Sequence, residues 1–390
     1  MQELIATGCF HSAVPEGRAV LSAVRAARAS GSLVVDAGDF FSGGAFHAFS
    51  HGRVEQRLLT ELYDAVVPGN HDLADLMRLQ DPRRFPPVVC VNLHPPSGFS
   101  GRWVSGLVLP GAGRRIGIIG YLGRQAFGAI PAAEREGFVF VPPTARLVAA
   151  EAERLRGLGA DVVVGVSHSG FLDAVADQEA DWPLPTVIAA HCHSPWSHWS
   201  QSGRHVAKPP ANGGGLLRLH LDPHGPHRVT QESFPSTIHP KDGLAGDLDA
   251  YAAWGGERLG SLPDPLPDRE GVAVRLADRA RVALGAAAFL LNTYTLRTGL
   301  PAVVTRRDLH ACAPFDSSLV VLERAHRTDA LVRRAHELGE ATTVSVDSHT
   351  PDETTVATTS YLAERLNLPA RPPDPPRTLH GILTNVVQEP

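Results

Sequence analysis

Five short segments gather side chains able to hold metal ions: Cys9-Phe-His11, Gly38-Asp39, Gly69-Asn-His-Asp72, Val166-Ser-His168-Ser-Gly170 and Ala190-His191-Cys-His193. Together they offer carboxylate and amide oxygens beside imidazole nitrogens, the mixed donor set that first-row divalent metals prefer. Two cations a few ångströms apart need several protein ligands and one carboxylate to bridge them. Asp39 is the natural bridge. His11 and His193 would then serve one cation, and Asn70, His168 and His191 the other. A single histidine at a strand end is more often a polar surface residue, so the weight rests on the ordered set.

Such ligands must be held rigidly, and the surrounding sequence supplies the means. Apolar runs of strand length precede the segments: Leu4–Thr7, Ser32–Val35, Ala65–Val67, Asp161–Val166 and Thr186–Ala189. Between them lie stretches of helical spacing at Ala19–Ala29, Glu55–Leu62 and Thr144–Leu158. Val88–Asn92 and Arg115–Gly120 read as further strands, and Gly214–Leu221 with His227–Phe234 as a hairpin. The alternation predicts an α/β sandwich. Polar clusters just past the strand ends fall where ligands bind in open α/β sheets.

At 390 residues, two domains are expected. The turn-rich SLPDPLPDREG stretch around Pro263–Pro267 reads as a linker. Beyond it, Val272–Leu291 is expected as a long helix entering an apolar run, Leu319–Leu322 as a strand, Asp329–Leu338 as a helix, Thr354–Thr358 as a strand and Ala370–Arg377 as an extended Pro-rich tail.

The order of the segments resembles the calcineurin-like metallophosphoesterase superfamily: DxH, GD, GNHD, a lone His, then GHxH. The strings Asp39-Phe-Phe-Ser-Gly-Gly44, Asp64-Ala-Val-Val-Pro-Gly-Asn-His-Asp72 and Ala160-Asp-Val-Val-Val-Gly-Val-Ser-His168 are similar to its 5′-nucleotidase branch. The resemblance covers residues 4 to about 235 and implies a four-layer αββα sandwich. There are departures. Cys9 stands where the family has Asp, and Ala190 where it has Gly. The acid that orients the GNH histidine has two candidates, Asp72 and Asp75. A Cys9 thiolate would favour zinc or iron; otherwise Cys9 is a small buried hydrophobe. Cys192 is expected to point away from the metals.

Residues 287–297, with Asn292 and Arg297, the segment around Phe315, and Thr354-Thr-Val-Ala-Thr-Thr-Ser-Tyr-Leu-Ala363 are similar to the 5′-nucleotidase C-terminal domain. The resemblance implies that Arg297 meets the anionic part of a substrate and Phe315 stacks on its base, with Asn292 beside them. Tyr294-Thr295 replaces the family's Gly-Gly, and its GGDG motif is absent. The expected organisation is a metallophosphoesterase domain at 1–235, a linker at 236–268 and a smaller α/β substrate domain at 269–390.

Three functions compete. The first is phosphoester hydrolysis on a nucleotide-like or small phosphorylated metabolite. It would use two divalent ions (zinc, manganese or iron), with His71 as proton donor or charge stabiliser and Asp72 beside it. The second is other metal chemistry on the same scaffold, such as proton abstraction or hydrolysis of a non-phosphate bond. The third is a non-catalytic binder, disfavoured by the retained ligand set. The formal charge of −5 leaves no basic field for a nucleic acid polymer. Four scattered cysteines make no disulfide framework. No apolar run reaches membrane-span length, and no signal peptide is recognised, so a cytoplasmic protein is expected. The cations are almost all arginine; the lysines are Lys208 and Lys241.

Overall fold

The computed structural model describes residues 2–111, 113–194, 197–221, 227–234, 243–347 and 353–388. The chain divides into two compact units. The first comprises Met1–Ser42 and Ser50–Asp247, the second Gly43–Phe49 and Leu248–Pro390. The expected boundary at 235/236 lies outside the described residues. The described part of the expected linker carries a helix, Ala245–Gly255, and a strand, Arg258–Ser261, paired with Val303–Thr305.

The first unit is built on two sheets. One runs Arg228–Ser233, Gly215–Leu221, Gln2–Thr7, Leu33–Asp36, Ala65–Val66, Val88–Val89, Trp103–Val104. The other runs His198–Gln201, Arg204–Ala207, Thr186–Ala189, Val162–His168, Arg114–Leu122, Leu107–Gly111. Alternate strand residues face between the sheets: Leu4 and Ala6, Ile116 and Ile118, Val164 and Val166, Leu217 and Leu219 form one buried cluster. The residues between them point outward. Ile119, Tyr121 and Val163 pack against Val148, Ala152 and Leu155 of helix Ala145–Gly157. On the first sheet, helix Arg18–Ala29 covers the outer face with Val20, Leu21 and Val24. Helix, sheet, sheet and helix make the four expected layers. The central strands are parallel, Leu4 beside Leu33, Val35 beside Ala65, Gly165 beside Val187. Their C-terminal ends therefore share one rim.

The second unit has a five-stranded sheet in the order Thr342–Val346, Ala288–Asn292, Val356–Thr359, Leu319–Leu322, Ala370–Arg371. Phe289 and Leu291 pack with helices Arg269–Ala283 and Leu379–Gln388, while Ala288 and Leu290 pack with Leu331 and Leu362 on the opposite face. The helix expected over Val272–Leu291 ends at Ala283. Gly285, at φ 57°, reverses the backbone there, and Ala288–Asn292 is an interior strand of the sheet. The apolar run was compatible with either state; burial on both faces selects the strand. The helix Leu379–Gln388, buried through Ile382, Leu383, Val386 and Val387, was not expected. Among the described residues, no helix is long and apolar enough to cross a membrane.

Candidate metal centre

The ligand-bearing turns follow the parallel strands at their common rim. Two glycines show why those turns have their sequence. Gly38 has φ 97°, and a Cβ there would lie 2.5 Å from His168 Nδ1 and 2.8 Å from the Gly69 nitrogen. At Gly69 a Cβ would collide with the Asp39 carboxylate. Only glycine lets the two loops close on each other.

Four of the expected ligands also sit in left-handed backbone: Cys9 at φ 49°, His11 at 52°, Asp39 at 58° and His191 at 86°. This conformation is unfavourable for residues with a Cβ. Three buried acids hold it in place. Asp36 accepts from Thr7 Oγ1 at 2.6 Å and from the Gly38 amide at 2.9 Å. Asp72, wholly buried, accepts from the amides of Gly69 at 2.7 Å, Asp39 at 2.8 Å and Phe41 at 3.2 Å. Glu55, also wholly buried, accepts from the hydroxyls of Ser12 and Ser50. Asp36 directly follows the strand expected over Ser32–Val35, whereas Glu55 carried no signal beyond its helical position.

Two groups of donors result. Cys9 Sγ and ring nitrogens of His11 and His193 lie within 4.8 Å of one another, and so do donor atoms of Asp39, His168 and His191. Asp39 Oδ2 lies between the groups, 3.1 Å from His168 Nε2 and 3.9 Å from His11 Nε2. Asn70 Oδ1 joins the second group, 2.8 Å from His191 Nδ1 and 3.3 Å from His168 Nε2. All seven expected ligand positions thus converge on one place.

The imidazoles are oriented from behind. His168 Nδ1 lies 2.8 Å from the Ala37 carbonyl, and His11 Nδ1 lies 2.9 Å from the Ser42 carbonyl. A carbonyl can only accept, so each Nδ1 carries hydrogen. That leaves both Nε2 atoms turned into the cluster, the arrangement that backbone carbonyls behind the ring impose on metal-binding histidines. His11 Nε2 and His193 Nε2 face each other at 3.1 Å. Two such lone pairs approach closely only with a proton or a cation between them. The residues therefore fit a pair of divalent ions in donor type, tautomer and spacing.

The electrostatics follow from burial and from these contacts. Burial works against the Asp39 carboxylate, yet the charges of His168 and His71 and the His168 hydrogen bond hold its pKa well below the usual value. Burial likewise opposes a charged His168, but the Asp39 charge and hydrogen bond raise that ring to about 9. His191 is lowered to about 4 by burial and by the neighbouring His168. Burial and the Asp39 charge push Asp72 up to about 6. The Cys9 thiol is pushed well above its ordinary range, by burial first and then by Asp39; its sulfur accepts the His191 amide at 3.1 Å.

His71 is next to the cluster. Its amide donates to Asp39 Oδ1 at 2.9 Å, and its ring packs edge-on against His11 with centroids 5.4 Å apart. Asp72 is directed at backbone amides, as given above. Cys192 turns to the Phe171 amide at 3.1 Å. In the second unit, the Arg297 guanidinium lies 5.7 Å from the centroid of the Phe315 ring. Asn292 is 4% exposed; it donates to Glu340 at 2.6 Å and accepts from the Tyr294 amide at 2.9 Å, so its amide holds its own turn.

No family model matches the chain. The snake venom 5′-nucleotidase of Naja atra is 26% identical over 174 residues, a stretch covering 42% of this chain and 32% of the venom protein. The chain thus matches about a third of that relative's length. The structure of a 5′-nucleotidase precursor from Thermus thermophilus superposes with a TM-score of 0.79 at 17% identity, covering 100% of this chain and 96% of that one. A sulfate thiohydrolase, SoxB, from Thermus thermophilus superposes at 0.73 with 15% identity, covering 98% of this chain and 80% of that one. The chain has the fold of these 5′-nucleotidase structures.

Proposed function

We propose that the chain is a metal-dependent phosphoester hydrolase acting on a nucleotide-like or small phosphorylated metabolite. One observation carries the reading: two three-donor groups lie side by side, with Asp39 Oδ2 of one group 3.9 Å from His11 Nε2 of the other. Cys9, His11 and His193 would hold one divalent ion and Asn70, His168 and His191 the other, with Asp39 between them; zinc, manganese and iron all suit the donors. Such ions supply Lewis acidity toward phosphoryl oxygens and water.

The protein's own groups do the rest. The Ala37 and Ser42 carbonyls fix the tautomers. His71, fastened through its amide to Asp39, is placed to give a proton to, or stabilise charge on, a departing oxygen. Within the second unit, a guanidinium over an aromatic face suits a ligand with an anionic and an aromatic part. Arg297 and Phe315 are accordingly assigned to substrate recognition, with Asn292 supporting the turn that precedes Arg297.

The test is metal analysis of protein purified without added metal, followed by a screen of nucleotides and aryl phosphates with each ion. One to two equivalents of transition metal, lost in Asp39→Ala and His168→Ala, are expected together with phosphatase activity. Folded protein that binds no ion and hydrolyses none of the substrates under any loading refutes the reading.

A further inference from the structure

Lys208 is absent from the ligand set and from the resemblance that suggested it. It follows strand Arg204–Ala207, which runs parallel to Thr186–Ala189 with Ala207 beside Ile188. Lys208 therefore emerges at the rim that carries His191. The loop after it packs on the Cys9 turn: the Asn212 amide donates to the Cys9 carbonyl at 2.8 Å, and Pro209 closes against Gly8.

Lys208 is 5% exposed. Among the described residues its ammonium has no hydrogen-bond or ion-pair partner. Its positive charge favours the thiolate forms of both Cys9 and Cys192, in keeping with the packing of its loop on the Cys9 turn. The stem is buried, but its Nζ is not among the fully enclosed polar atoms, so the head group reaches open space at this rim, where an anionic ligand can meet it. In a chain whose cations are almost all arginine, a lysine here provides a compact point charge, which suits a single phosphoryl oxygen.

We propose that Lys208 is an anion-binding residue of this centre, receiving a phosphoryl oxygen of the substrate at the Cys9 edge. The proposal rests on the phosphoesterase reading and names a further substrate contact within it.

The test uses the full-length, zinc-loaded chain as wild type, Lys208→Met and Lys208→Gln. Metal content, calorimetric binding of inorganic phosphate, and turnover of an aryl phosphate are measured. Metal content should be unchanged, with the phosphate dissociation constant raised about 10- to 100-fold, as for a lost hydrogen bond to a charged group. KM should rise more than kcat falls. Unchanged phosphate affinity, or wild type that binds no phosphate, overturns the proposal. So does metal loss in either variant, since the ammonium would then serve the metal ligands. Misfolding of both variants also overturns it, because a head group that serves only a ligand can be replaced without loss of the fold. Phosphate binding through Lys208 without any hydrolysis would refute the phosphoesterase reading alone; hydrolysis with unaltered constants in both variants would refute the Lys208 assignment alone.

Discussion

Stripped of cations, the first unit should lose stability steeply between pH 6.5 and pH 9.5, and His168 should be the cause. The folded ring has its pKa raised from 6.5 to about 9 by the Asp39 carboxylate. A raised histidine pKa stabilises the folded state fully below the unfolded value, and the contribution disappears as pH climbs through the folded value. The difference is worth about 3 kcal/mol. Asp72 does not confuse the window: raised to about 6, it loses its contribution between roughly pH 4 and 6. For a unit of this size about 3 kcal/mol corresponds to about 6–12 °C in the melting transition. The assay is thermal and urea unfolding of chelator-treated full-length protein at half-unit pH steps, following the transition of the unit that contains the site. His168→Gln, which cannot titrate, should flatten the profile in this window. A wild-type profile already flat there, or the same slope in His168→Gln, would refute the coupling. Zinc loading at pH 7 should also expel the His168 proton, detectable as buffer-dependent heat in calorimetry.

If Cys9 is a ligand, Cys9→Asp should move metal preference from zinc or iron toward manganese or magnesium; equal metal content in wild type, Cys9→Asp and Cys9→Ser would remove Cys9 from the ligand set. His71→Ala should keep its metal and lose turnover by about 10²-fold or more, as for a proton donor; metal loss alongside would instead make His71 a ligand. Arg297→Ala and Phe315→Ala should raise KM with metal content intact, and unchanged KM in both would place substrate recognition elsewhere. Arg365→Ala should destabilise the second unit by about 3–5 kcal/mol, because Glu340, 6% exposed and bonded to Arg365 Nε at 2.8 Å, would be left a buried charge without its cation. A calorimetric change under about 1 kcal/mol would show that Asn292 and Tyr361, also bonded to Glu340, suffice.

The site was legible because its chemistry is local. Each candidate ligand sits within a few residues of a strand end, and short motifs such as Gly38-Asp39 and Gly69-Asn70 encode both donor and turn. What the sequence hid is what joins distant segments. Glu55 reaches Ser12 from a helix whose spacing alone would leave it on the surface. The Ala37 and Ser42 carbonyls orient histidines through backbone atoms, which no residue type announces. Asp72, adjacent to His71 in sequence, directs its carboxylate to the amides of two other loop positions and Gly69. Lys208 was visible as a rare residue, but its burial was not. In the second unit, Ala288–Asn292 has the apolar content of either a helix end or a strand, and pairing with Thr342–Val346 and Val356–Thr359 decided it.

The left-handed backbone at Cys9, His11, Asp39 and His191 has an evolutionary consequence. Each position costs about 1–2 kcal/mol relative to ordinary backbone, and glycine would relieve most of it. In a gene copy released from its chemistry, these codons would be among the first to change, since drift there would meet a gain in folding rather than a loss. Side chains with donor atoms at all four positions are what continued selection on metal binding would leave. A paralogue with glycine or asparagine at several of the four would mark a lineage in which the fold outlived its cations.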